Sequence, residues 1–178
     1  MFMRESLRAV IQEHKPDRVG VEYPIMNAMY SEGMWGLFLY SCEALRAEGM
    51  DVVFWSPLQV KAHARDTLDR PKGWKMDKID MVEAAKADCA ARMNHNEADA
   101  YLVAVLAARF WEFHSGILEE GGLTETESKY FTKVHTFTRG KKAGKTIKKG
   151  VIHRESDRFF MWSQLRDEEI NDGKSEKE

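Results

Sequence analysis

In the first 128 residues only two stretches read as β-strands, Arg18-Val19-Gly20-Val21-Glu22 and Asp51-Val52-Val53-Phe54-Trp55, and this scarcity restricts the fold more than any other feature. The first is stopped by Tyr23-Pro24 and the second by Ser56-Pro57. Around them apolar residues recur at helical spacing. Leu7, Val10, Ile11 and His14 mark a helix over 3–14, and Ser31-Glu32-Gly33 opens another through Trp35, Leu37, Phe38, Leu39 and Leu45 to Gly49. Ser56-Pro57 has N-cap and first-turn chemistry for a helix through Leu58, Val60 and Ala64. Asp77 caps a helix to about Met93, and His95-Asn96-Glu97-Ala98-Asp99 opens one with an apolar stripe of Leu102, Val105, Leu106, Phe110 and Phe113. Alternating strands and helices predict an α/β fold with parallel strands. Two parallel strands among five helices do not make a covered sheet, so further strands must come from the C-terminal segment, from a partner, or from strands preceding Met1.

The charge divides the chain. Residues 1–128 hold 14 Lys+Arg against 21 Asp+Glu, a balance of −7, whereas residues 129–178 hold 13 against 8, a balance of +5. Lys129 to Arg154 carries nine basic residues, two histidines and no acid, the composition of a polyanion-binding surface or of a solvated basic face. This divides the chain into a core over 1–115, a polar linker over 116–128, a basic appendage over 129–166 and an acidic, disordered tail over 167–178. Within the appendage 130–138, 145–153 and 158–163 alternate in β fashion, predicting a small antiparallel meander. The charged stretch 66–76, with Pro71 and Gly73, reads as a mobile loop in which Trp74 is the one tryptophan suited to base stacking. No apolar run reaches membrane-spanning length and the N-terminus lacks a signal-peptide pattern, so the expected compartment is the cytoplasm and no membrane partner is expected. Cys42 and Cys89 have no zinc spacing.

Glu22 ends a strand at the C-terminal edge of the predicted sheet, where ligands and catalytic groups of open α/β sheets collect. Asp99 lies three residues before Leu102 and seven before Leu106, which puts a carboxylate at the head of a buried stripe. A desolvated carboxylate there needs a cation or hydrogen bonds, and a second one nearby needs a metal. Asn96, one turn earlier, adds an oxygen ligand, although it reads equally well as an N-cap, and Asp99 as a first-turn acid complementing the helix dipole. Glu22, Asp99 and Asn96 form an all-oxygen set suited to Mg²⁺ or Mn²⁺.

The order VGVEYP, a long helix, DVVFWSP, LQVKAHA, GWKMDKIDMVEAAK and NEADAYLVAVLAA resembles the RuvC-type Holliday junction resolvases of the RNase H-like nuclease superfamily over about residues 4–113. The resemblance implies an RNase H-like core and two-metal phosphodiester hydrolysis, carried out by a homodimer on branched DNA such as four-way junctions. Glu22 then matches the second catalytic carboxylate, Asp99 the last, and Asn96 the penultimate position, where the family usually has Asp. Lys61 and Lys78 match lysines that approach the scissile DNA, with Lys75 beside them. The family begins with a strand bearing its first catalytic Asp; Asp17 sits in a turn, so the chain is expected to lack that strand. The basic segment resembles appendages of phage-encoded members, with Lys141, Lys142, Lys145, Lys148 and Lys149 expected on the phosphate backbone. A catalytically silent branched-DNA-binding protein of the same fold is the alternative.

Overall fold

The computed structural model describes residues 2–24, 31–131, 134–136, 143, 146–154 and 159–164, with side chains over 4–24 and 33–131 and at 143. Lys141, Lys142, Lys145 and the acidic tail 167–178 lie outside the described residues, and of Lys148 and Lys149 only the backbone is described.

The elements run α1 (Phe2–His14), β1 (Arg18–Glu22), α2 (Ser31–Ala47), β2 (Asp51–Trp55), α3 (Pro57–Thr67), α4 (Lys78–Asp88), α5 (His95–His114), a short 3₁₀ turn (Glu120–Gly122), α6 (Glu125–Phe131), β3 (Val134–Thr136), β4 (Thr146–Arg154) and β5 (Phe159–Gln164). The chain is α/β, as its pattern predicts. Its sheet has five strands in the order β1-β2-β5-β4-β3. β1 and β5 flank β2 in parallel, and β4 and β3 continue antiparallel. The three C-terminal strands form the expected meander, but its last strand pairs with β2 and extends the core sheet. The strand deficit is met from the C-terminal segment, and β1 remains at the sheet's edge.

β2 shows how five residues organise two cores. Its side chains alternate between faces. Val53 and Trp55 pack with Val60, Met81, Leu102, Leu106, Phe110 and Phe131 on one side. Val52 and Phe54 meet Ile11 and Leu45 on the other. The sheet therefore lies between α1/α2 and α3 to α6. Among the described residues no helix is long and apolar enough to cross a membrane.

Four local expectations change. α4 ends at Asp88 instead of about Met93, with Cys89 already extended as its C-cap, and Asn94 is the extended N-cap of α5. The buried stripe of α5 is Ala98, Leu102, Val103, Leu106, Ala107, Phe110 and Trp111, rotated so that Val105 and Phe113 lie at its margins. The stretch 116–128, polar enough to read as a linker, contains most of α6 and buries Thr126 and Glu127. The stretch 66–76 begins inside α3 and is then held by buried Met76 and by an Arg70 N–H to Arg65 carbonyl bond of 3.0 Å.

Candidate functional site

β1 and α5 cross in antiparallel sense, and contacts along the crossing fix their register. At the start of β1, the Arg18 guanidinium lies over the Trp111 ring, 4.6 Å from its centroid. At its middle, Gly20 approaches α5 so closely that a Cβ would lie 2.8 Å from Ala107 Cβ and 3.0 Å from the Val103 carbonyl oxygen. Residues 18, 20 and 22 share one strand face. Each two-residue step up β1 moves the contact one to two turns back along α5, so Glu22 arrives at the first turns of α5, where Asp99 stands.

Gly20 is thus the spacer of the site. Gly20→Val is expected to cost about 1–3 kcal/mol through overpacking, read as a lower midpoint of thermal unfolding. Unchanged stability would show that α5 does not seat on Gly20.

The two strand ends are level: Glu22 pairs with Trp55, and the Tyr23 N–H donates to the Trp55 carbonyl at 2.9 Å. α3 starts at that same rim. Ser56 and Gln59 form its capping box, the Gln59 N–H donating to Ser56 Oγ at 3.3 Å and the Ser56 N–H to Gln59 Oε1 at 2.8 Å. Lys61, one turn into α3, is exposed.

The electrostatics tie Glu22, Asp99 and Lys61 together. Burial raises the Glu22 carboxyl above its ordinary value, the charge of Asp99 raises it further, and Lys61 works in the opposite direction. Glu22 nevertheless keeps solvent access, and Asp99 is half-buried. A carboxylate whose ionisation is disfavoured by burial and by the charge of a second one, with a lysine beside them, suits a hard divalent cation with oxygen preference. Among the described residues no three His, Cys, Asp or Glu side chains converge on a metal position.

Asn96 is not the N-cap. Asn94 holds that position, its Oδ1 accepting from the Asn96 N–H at 2.9 Å and the Glu97 N–H at 3.1 Å, while Glu97 Oε2 accepts from the Asn94 N–H at 2.8 Å. The Asn96 side chain, exposed and one turn before Asp99, is free of capping duty; no hydrogen bond links it to Glu22 or Asp99. Lys78 opens α4 behind the Asp77 cap and lines a shallow depression of about 480 Å³ with Ile79, Val82, Glu83, Lys86 and His95. Lys75 is exposed in the preceding loop. The structure brings Glu22, Asp99 and Lys61 together and leaves Lys75 and Lys78 on an exposed rim.

A second ionisable cluster lies beneath α3. Glu127 of α6 is fully buried and accepts from Arg109 through both carboxylate oxygens, at 2.8 Å for Nη2 to Oε2, and from the Thr124 N–H at 2.9 Å. His63 Nδ1 stands 3.6 Å from Glu127 Oε1. Burial alone would raise the Glu127 carboxyl, but Arg109, Thr124 and His63 together outweigh it and hold it below its usual value. Burial pushes the His63 imidazole down, more than Glu127 pulls it up. The local signal was present as Thr124-x-x-Glu127, a capping box in which the Glu127 N–H donates to Thr124 Oγ1 at 3.1 Å.

Comparison with models of known protein families gives no match for this chain, and comparison with curated proteins gives none either.

Proposed function

We propose that the chain is a Mg²⁺- or Mn²⁺-dependent endonuclease with a RuvC-like, RNase H-like core that cuts branched DNA such as four-way junctions, acting as a homodimer. The observation that carries this reading is the placement of Glu22 and Asp99 at one sheet rim with Lys61 beside them. Glu22 and Asp99, with Asn96 one turn away, would hold the cation. The bound cation supplies Lewis-acid charge, making water more acidic and offsetting the negative charge that grows on the phosphate. Glu22 and Asp99 orient that charge at the rim. Lys61, and Lys78 from the neighbouring rim, attract the phosphate backbone, with Lys75 and the basic segment extending the contact. Because the Glu22 carboxyl is raised, it takes up a proton earlier than an ordinary glutamate on acidification, and cation binding should weaken through that range.

The silent DNA-binding reading draws on the donor count: among the described residues Glu22 and Asp99 are the two carboxylates at the rim, two fewer than the four acids the resemblance implies, since Asn96 stands at the penultimate position and the first Asp has no counterpart. An end-labelled four-way junction incubated with the full chain separates the two readings. Nicked products in Mn²⁺ and none in EDTA support the nuclease, whereas retarded but intact junction in both supports the binder.

A further inference from the structure

We propose that Trp74 is a stacking platform for an unpaired nucleobase, a role that rests on the nucleic-acid part of the reading above but not on cleavage. Trp55 and Trp111 are at most 9% exposed, whereas Trp74 is 47% exposed. An indole left this open costs apolar hydration, and the surrounding contacts hold it in place without covering it. Its Nε1–H donates to Asp80 Oδ2 at 3.2 Å. The Arg70 guanidinium carbon lies 5.3 Å from its ring centroid, and Arg70 is itself tied to Glu83 at 3.3 Å. One edge and one face of the ring are thereby engaged, and its exposed area belongs to the remainder.

The backbone beneath is fixed as well. Gly73 has φ +96°, a left-handed turn that a side chain would strain, and the Trp74 N–H donates to the Pro71 carbonyl at 3.0 Å. Two residues on, Met76 is 6% exposed and anchors the loop in the core. Asp77 and Asp80 then close the capping box of α4, so the acid that holds the indole is itself positioned. A preorganised ring loses little rotamer freedom when a ligand stacks on it.

Charge selects the ligand. Residues 70–78 hold Arg70, Lys72, Lys75 and Lys78 against Asp77; Arg70 pairs with Glu83 and Lys72 with Glu125 at 3.4 Å, and the charges of Lys75 and Lys78 stand exposed on either side of Met76. A second apolar protein surface would not need that charge, and an intact duplex keeps its base faces stacked and closed. Single strands and the branch points of junctions offer open base faces next to phosphates, the combination that aromatic-plus-basic surfaces bind.

The test uses the full chain with a four-way junction and a single strand carrying 2-aminopurine at an unpaired position, and a perfect duplex as control. Wild type is expected to change the 2-aminopurine fluorescence on binding. Trp74→Ala should abolish that change and weaken junction and single-strand binding about tenfold or more, with duplex binding shifted less than twofold. Trp74→Phe should keep most of the affinity. Trp74→Leu, which retains apolar contact with the loop but has no ring, should behave as Trp74→Ala; wild-type behaviour of Trp74→Leu would overturn the stacking role. Equal loss on duplex and junction, or no loss in Trp74→Ala, would overturn it while leaving the nuclease reading standing. Failure of the wild type to bind any of the three DNAs would overturn both.

Discussion

Glu22→Gln is expected to lower Mn²⁺-dependent cleavage of a four-way junction by at least about a hundredfold, since loss even of outer-shell partners of metal ligands typically costs about 10–100-fold. The substitution keeps the shape of the side chain and removes its charge. It also relieves the like-charge opposition with Asp99, so the fold should be no less stable and junction binding should persist through the basic rim. Gel-resolved cleavage and fluorescence anisotropy on the same junction read the two effects separately. Full cleavage by Glu22→Gln would remove Glu22 from the reaction; parallel loss of cleavage and binding would make it a structural residue.

Arg109→Ala should have the largest effect on stability. Glu127 is completely buried, and Arg109 answers both of its oxygens while also donating to the Gly122 carbonyl at 2.9 Å. Removing the guanidinium leaves a buried carboxylate with the Thr124 N–H and a His63 whose burial disfavours protonation. An uncompensated buried charge of this kind costs about 3–5 kcal/mol, which lowers the unfolding midpoint by roughly 6–20 °C for a chain of this size. The double variant Arg109→Met/Glu127→Leu should recover most of the loss, because it removes both charges together. Thermal denaturation followed by circular dichroism checks both; an unchanged midpoint in Arg109→Ala would show that Glu127 is not ionised in the fold.

What could be read from the residues, and what could not, follows the range of the interactions involved. The caps at Ser56 and Asp77 are local, completed within three residues, and both are found where the sequence places them. The positions of Glu22 at the end of β1 and of Asp99 near the start of α5 were also legible, since a strand end and the head of an apolar stripe are periodicity statements. For Glu127 the capping box with Thr124 is a local signal, but its burial is not, because it depends on Arg109, eighteen residues away. β5 was recognisable as a strand, but alternation does not say which strand it joins, and its seat beside β2 is a long-range choice. Asn94 took the cap that Asn96 also matched, a shift of two residues that frees the Asn96 side chain.

The pairing of Glu22 with Asp99 can be measured without DNA, by following the Glu22 carboxyl through a pH titration with carbon-13 NMR. It should titrate above the ordinary glutamate range in the wild type, lower in Asp99→Asn, and lower again in the wild type with saturating Mg²⁺, because the removed charge and the bound cation both favour its ionised form. A Glu22 titration unmoved by Asp99→Asn and by Mg²⁺ alike would contradict a shared site at the rim of the sheet.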